Sequence, residues 1–83
     1  MKNLLKTDVA GRIVINPDVM AGKPVIKGTR IPVDMIIRLL AQGMKEQEIL
    51  EDYPQLTKED ITAALIYSAQ VVGGESVMPA AVA

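Results

Sequence analysis

A stretch of short apolar runs separated by glycine and proline, Arg12 to Val33, limits the possible folds of this chain more than any other feature. Ile13 to Ile15 are all β-branched and are followed by Asn-Pro-Asp, a pattern that predicts a short strand and then a turn. Two further extended pieces are predicted at 25–26 and 30–33, beside prolines whose nitrogens cannot donate to a β-ladder. The pattern therefore predicts short edge pairings, completed either within the chain or by a second subunit.

From Asp34 the spacing of the apolar side chains becomes helical. A first helix is predicted over about 33–42, with Asp34 favourable at the positive end of its dipole and Gly43 suited to its C-terminal cap. A second helix is predicted at about 46–52. It ends before Pro54, because the residue that precedes a proline avoids the helical region.

A third helix is predicted to begin after Thr57, which with Asp60 three positions later resembles a capping box. Gly73 and Gly74 end it. Its predicted inner face consists of Ile61, Ala64, Leu65, Ser68 and Val72. Two helices of these lengths joined by a short turn are typical of a helix-turn-helix motif.

Composition excludes several classes of site. The 83 residues contain no cysteine and no histidine, which removes disulfides, thiolate nucleophiles, the usual zinc ligands and the commonest general base. A chain this small buries little surface, so self-association is its remaining means of stabilisation. No apolar run is long enough to span a bilayer, and the N-terminus lacks the apolar segment of a secretory signal. A cytoplasmic homodimer without cofactors is predicted.

One domain is predicted at 12–72, with a flexible N-terminal arm at 1–11 and a flexible C-terminal tail at 73–83. Charge is divided unequally along the chain. Residues 1–44 carry seven basic and three acidic side chains, whereas 45–83 carry two and seven. Such a distribution either orients partners and subunits or is ordinary solvated surface charge.

A basic surface for nucleic acid is predicted at Lys23, Lys27 and Arg30, which flank the glycines of two turns. A two-fold axis would double this surface, and each phosphate that it neutralised would make binding weaker at high salt. The alternative is an ordinary solvated loop.

The start of the third helix offers a second set of DNA-contacting side chains, Thr57, Lys58 and Thr62. The N-terminal residues of a recognition helix approach the base edges in the major groove. Glu59 and Asp60 are predicted to repel phosphate at the same place, so the alternative is a helix that only packs.

The tail is the predicted partner-binding segment, through its apolar side chains Val77, Met78 and Val82. It either folds onto another protein on contact or is merely a disordered terminus. Enzymatic activity is not predicted. The glycines at 22–29 do not match a phosphate-binding loop, and acidic side chains on helix faces are typical of solvated surfaces.

An ordered series of segments is characteristic: GKPVIKGTRIPV at 22–33, EIL at 48–50, YPQLT at 53–57 and EDITAALIYSAQ at 59–70. Together they resemble the domain-of-unknown-function family 433, small helix-turn-helix proteins often described as VapB-like antitoxins. The resemblance covers about residues 12–72. It implies a mainly α fold, with a three-helix homeodomain-like or winged helix-turn-helix core, a short N-terminal β element and an intertwined homodimer.

The same resemblance implies the antitoxin of a type II toxin-antitoxin pair. Such a protein binds operator DNA as a dimeric repressor and neutralises a PIN-like nuclease toxin by direct binding. The rival interpretation is a protein-protein interaction module that has the helix-turn-helix shape but does not bind DNA. Lys45 departs from the family pattern, which usually has serine there; loss of a hydroxyl cap costs about 1 kcal/mol, so this helix start is predicted to be less well fixed.

Overall fold

The computed structural model describes residues 11–74, in which two helical residues, Gly11 and Arg12, are followed by a two-stranded antiparallel sheet. Strand β1 (Ile13–Ile15) pairs with strand β2 (Pro24–Ile26), and Val14 lies opposite Val25. The strand predicted from the β-branched run is therefore confirmed. The predicted arm and tail lie almost entirely outside the described residues.

β2 has a neighbour on each side, which differs from the edge pairings that the sequence predicts. β1 lies on one side, and on the other Pro32 forms a bridge with Val25. The prolines permit this arrangement because Pro24 is the first residue of its strand and Pro32 makes only a single bridge. β1 is thus paired within its own chain and needs no strand from a second subunit to pair with β2.

The link between the strands contains strained backbone. Met20, Ala21 and Gly22 all have positive φ, with values of 52°, 55° and 82°. Left-handed backbone costs a non-glycine residue roughly 1–2 kcal/mol. The turn is held by the Gly22 N–H, which donates to Val19 O at 3.0 Å. Met20 and Ala21 therefore keep a conformation that their side chains disfavour.

Three helices follow the sheet: α1 (Val33–Ala41), α2 (Glu46–Asp52) and α3 (Lys58–Val72). They confirm the three helices that the apolar spacing predicts, and with the short sheet they make a mainly helical chain. α1 and α2 both pack against α3, and α1 also packs against β2.

The helix ends follow the predicted capping chemistry. Gly43, just beyond α1, has a φ of 95°, which suits glycine because it lacks a Cβ. At the start of α2 the Lys45 N–H donates to Glu48 Oε1 at 2.8 Å. This is half of a capping box, since a lysine side chain has no acceptor to offer to the helix in return.

The core lies where the helices meet the sheet. Its buried members are Ile26, Ile31, Val33, Ile36, Ile49, Leu56, Ile61 and Ala64. Tyr53 and Tyr67 pack against this cluster, in a chain that has no Phe or Trp. Each helix contributes at least one buried isoleucine, so all three depend on the same core.

α3 buries a different face from the one predicted. Ile61 and Ala64 are buried as expected, but Leu65 is 46% exposed and Val72 is 88% exposed, so for these two residues the prediction is wrong. Asp60 is buried although the sequence predicts it outside. The buried residues of α3, which are Asp60, Ile61, Ala63 and Ala64, all lie in its first two turns, and its later turns bury no residue completely.

Candidate functional site

The turn after β2 presents two of the predicted cations, Lys27 and Arg30, to solvent. We call residues 27–30 the basic loop. Gly28, with a φ of 80°, supplies the left-handed residue that the turn requires. The two cations therefore stand on a turn whose backbone conformation is relaxed.

Thr29 fixes the shape of the basic loop. Its Oγ1 donates to Ile26 O at 2.8 Å and accepts the Ile31 N–H at 2.9 Å. The backbone adds a bond from Thr29 N to Ile26 O and another from Ile26 N to Ile31 O, each 3.0 Å long. The loop is thus held at both of its ends before any ligand is present.

Arg12, which lies just before β1, connects the basic loop to α3. Arg12 Nη1 lies 3.1 Å from Asp60 Oδ1, and the Asp60 side chain is 9% exposed. Arg12 O accepts the Lys27 N–H at 2.8 Å. Because Arg12 contacts both elements, the basic loop and the first turns of α3 lie at the same end of the molecule. We refer to the basic loop with residues 57–62 as the loop end.

Asp60 also completes the capping box of α3. Its Oδ2 accepts the Thr57 N–H at 2.9 Å, and Thr57 Oγ1 accepts the Asp60 N–H at 3.2 Å. The prediction that Asp60 repels phosphate is therefore wrong, because its carboxylate is buried and paired with Arg12. Thr57 Oγ1 serves the helix as an acceptor, which leaves its hydroxyl proton for another acceptor.

The structure divides the six predicted DNA-contacting residues between two places. Those at the loop end are Lys27, Arg30, Thr57, Lys58 and Thr62, of which Thr62 alone is half-buried. Lys23 lies at the opposite end of β2, where its Nζ is 3.3 Å from Asp34 Oδ2. The basic surface predicted from the sequence is thus not one patch.

Acidic side chains border the loop end. Glu59 is exposed on the first turn of α3, and the preceding helix α2 exposes Glu48, Glu51 and Asp52. These carboxylates oppose the positive charge of Lys27, Arg30 and Lys58, which are the exposed cations of the loop end.

A groove of about 470 Å³ lies between the start of β2, α1 and the C-terminal half of α3. Its walls are mostly apolar and are formed by Pro24, Val33, Ile37, Tyr67, Val71 and Val72. We refer to this groove and its rim as the groove end. The apolar spacing did not predict it, because that spacing assigned Val72 to the core.

Three charged side chains form the rim of the groove. Asp34 Oδ2 lies 3.3 Å from Lys23 Nζ and 3.6 Å from Arg38 Nε. All three side chains are at least 45% exposed. The rim is therefore a solvated ion-pair cluster with one more positive than negative charge.

Among residues 11–74, no cluster of three or more acidic side chains is placed to hold a metal ion. The helices in that same part of the chain are too short or too polar to cross a bilayer. The predicted partner-binding side chains Val77, Met78 and Val82 lie outside the described residues.

The chain is similar in sequence to a protein family and to two curated proteins, and similar in structure to a solved protein. Residues 13–68 match the model of a family described as "Protein of unknown function (DUF433)". A crystal structure of a DUF433 member protein from Anabaena variabilis resembles this chain with a TM-score of 0.71 and 33% sequence identity. That likeness covers 88% of this chain and 78% of the other.

Two curated relatives are described as uncharacterized. The protein y4eO of Sinorhizobium fredii is 38% identical over 56 residues, which are 68% of this chain and 25% of that protein. A protein of Archaeoglobus fulgidus is 64% identical over 28 residues, which are 34% of this chain and 78% of that protein. The chain therefore spans about a quarter of the length of the Sinorhizobium relative.

Proposed function

The chain belongs to the DUF433 family, and we propose that it is the antitoxin of a type II toxin-antitoxin pair. In this proposal it acts in the cytoplasm as a dimer, represses its own operon by binding operator DNA, and neutralises a PIN-like nuclease toxin by direct contact. It works by binding and not by catalysis.

The observation that carries the proposal is the shared position of the basic loop and the start of α3. Arg12 links them through its ion pair with Asp60 and its backbone bond with Lys27. In a helix-turn-helix protein the start of the recognition helix approaches base edges, while nearby cations contact phosphates. The loop end offers both kinds of contact on one surface.

Five side chains at the loop end have a defined part in this proposal. Lys27 and Arg30 neutralise phosphates, since both are exposed on a turn that is already ordered. Lys58 and Thr62 face the base edges. Glu59 limits the attraction at the helix, so sequence-independent contact with the backbone dominates the affinity.

A salt series of gel shifts with the DNA upstream of the chain's own gene tests DNA binding. We expect a complex at low salt that weakens steeply as salt rises. Replacing Lys27 and Arg30 together by alanine reduces the slope of log K against log salt by about two, because two phosphate contacts are lost. Lys23→Ala is the matched control and leaves the slope unchanged, because Lys23 lies at the other end of β2 and pairs with Asp34.

Two results would contradict this assignment. The absence of a complex at low salt, with and without the partner protein, removes the repressor function. If the double alanine variant of the basic loop and Lys23→Ala change the salt slope equally, the DNA contact does not lie at the loop end.

The groove favours a second candidate function, a protein-protein interaction module without DNA binding. Its apolar walls and charged rim are suited to a segment that has apolar anchors and an acidic side chain. A nuclease-like protein encoded beside this chain is the partner to test by calorimetry and by inhibition of RNA cleavage. If Val71→Asp abolishes binding while Leu65→Asp does not, the groove is the contact. If neither substitution has an effect, the groove is not the contact.

A further inference from the structure

The ladder between β1 and β2 shows which backbone groups of β1 point outward. The Lys27 N–H donates to Arg12 O at 2.8 Å, so these two residues form a hydrogen-bonded pair of the antiparallel ladder. Hydrogen-bonded pairs alternate with non-bonded pairs. Val14, opposite Val25, is therefore the next residue of β1 whose backbone bonds to β2.

The N–H and C=O groups of Ile13 and Ile15 consequently point away from β2. The direction of the Ile26 N–H supports this alternation. Ile26 lies opposite Ile13, and its N–H donates to Ile31 O on the side of β2 that faces away from β1. Among the described residues β1 pairs only with β2. The outer edge of β1 is thus an unpaired strand edge in that part of the chain.

This edge is apolar as well as unpaired. Val14 is 37% exposed and Ile15 is 59% exposed. Native edge strands are usually protected by lysine, proline or a bulge, and β1 contains none of these. An apolar edge without such protection is suited to pairing with another strand.

We propose that β1 pairs antiparallel with β1 of a second copy of this chain, around a two-fold axis at Val14. The inference deepens the proposed function, on which it rests for the dimer, by naming the contact and its register. The result is a four-stranded sheet in the order β2, β1, β1 and β2, without exchange of strands between the copies.

Hydrogen bonding selects this register. With the axis at Val14, Ile13 of each copy lies opposite Ile15 of the other, and both residues direct their backbone groups outward. Each such pair exchanges both of its hydrogen bonds. A shift by one residue would place outward groups opposite inward ones, and a shift by two would leave only one hydrogen-bonded pair within β1, so the axis at Val14 gives the most bonds.

Charge selects the antiparallel direction. Arg12, which pairs with Asp60 but keeps 37% of its side chain exposed, precedes β1, and Asp18 follows the C-terminal end of the strand. Antiparallel pairing brings the basic end of one copy towards the acidic end of the other, whereas parallel pairing would bring like charges together. The edge is therefore self-complementary in its backbone hydrogen bonding, and the charges at its ends favour the antiparallel direction.

Because the chain has no cysteine, a single introduced thiol tests this register. Two Val14→Cys copies would meet as a non-hydrogen-bonded pair, at the Cα separation that a disulfide requires. In Ile15→Cys the two thiols would lie on residues offset along the strands, too far apart for a relaxed disulfide. We expect Val14→Cys to cross-link about tenfold faster than Ile15→Cys under mild oxidation, read on non-reducing gels.

Ile15→Cys is a demanding control, because position 15 is the more exposed and random collision would favour it. Equal or faster cross-linking of Ile15→Cys overturns the register. Charge variants give a second test by sedimentation of the full chain. Val14→Asp and Val14→Lys alone are each expected to be monomeric, and an equimolar mixture is expected to dimerise because the opposite charges face each other.

Circular dichroism confirms that each variant is folded, and Val14→Thr is expected to remain dimeric. A mixture that stays monomeric, or a parent chain that is monomeric at every concentration, overturns the proposal. These measurements contain no DNA. A dimer without operator binding therefore refutes the repressor function alone, and operator binding by a monomer refutes the strand pairing alone.

Discussion

The loop end and the groove end are both built around an aspartate that pairs with a cation, but the two pairs differ in their surroundings. Asp60 is 9% exposed and also caps α3, whereas Asp34 is 45% exposed and lies on a solvated rim. An exposed ion pair contributes little to stability, whereas removing a buried hydrogen-bonded partner costs more. The ion pair at the loop end therefore contributes to the stability of the fold, whereas the ion pairs at the groove end contribute little.

The two ends also treat left-handed backbone differently. The basic loop places Gly28 at its positive φ, while the turn that leads into the groove places Met20 and Ala21 there. Glycine adopts this conformation without strain. The loop end is thus preorganised, which lowers the entropy cost of binding. The turn that leads into the groove end keeps its backbone strain, and the groove itself exposes apolar surface.

The largest effect on stability is expected from Asp60→Ala. This change removes half of the capping box and leaves Arg12 without its partner, at a cost of about 2 kcal/mol in the free energy of unfolding. Urea denaturation followed by circular dichroism measures it. Asp60→Asn, which keeps an acceptor oxygen but loses the charge, should cost less. A loss no larger than that of Asp34→Ala would show that burial does not separate the two ends.

Gly28→Ala should destabilise the chain by about 1 kcal/mol. An added Cβ at this position meets nothing within 4 Å, so the cost comes from the positive φ alone and not from a clash. Urea denaturation gives the value, and Gly11→Ala is a control at a glycine without positive φ and also without a neighbour. Equal stability of the two variants would mean that the basic loop is free to adopt another conformation.

Ala21→Gly should act in the opposite direction and stabilise the chain by about 0.5 kcal/mol. Relief of left-handed strain exceeds the extra chain entropy that glycine brings to the unfolded state. The midpoint of urea denaturation should rise with an unchanged slope. A fall in the midpoint would show that Ala21 makes contacts that outweigh its backbone strain.

Asp34→Ala should have the smallest effect, below about 0.5 kcal/mol, because its ion pairs are exposed and it lies in the first turn of a helix. Repeating the denaturation at high salt should shrink the difference further, since salt screens exposed charges. A difference that persists at high salt would mean that Asp34 supports the groove by something other than charge.

Local patterns predict most of the helices and strands of this chain. The β-branched run at 13–15, the glycine after α1 and the capping pair before α3 each carry their signal within a few neighbouring residues. The buried state of Asp60 could not be predicted in this way, because it depends on Arg12, which lies 48 positions earlier. A carboxylate in the first turn of a helix looks the same whether or not a distant cation covers it.

The two candidate surfaces differ in the same way in how far the sequence predicts them. The exposed position of Lys27 and Arg30 was predictable because glycine and threonine mark their turn. The groove was not, because Leu65 and Val72 fit a helical stripe as well as the residues that are in fact buried. Which stripe of α3 faces inward depends on how α1 and α2 cross it, and periodicity carries no information about that.

The long separation between Arg12 and Asp60 has a consequence for protein synthesis. A ribosome adds the residues of β1 and β2 before it adds the helix that carries the anchoring carboxylate. Until α3 has been added, the segment that carries Lys27 and Arg30 lacks the carboxylate that anchors Arg12. Their alignment with α3 requires Asp60, so a product that stops before α3 would carry the charges without the carboxylate that anchors them.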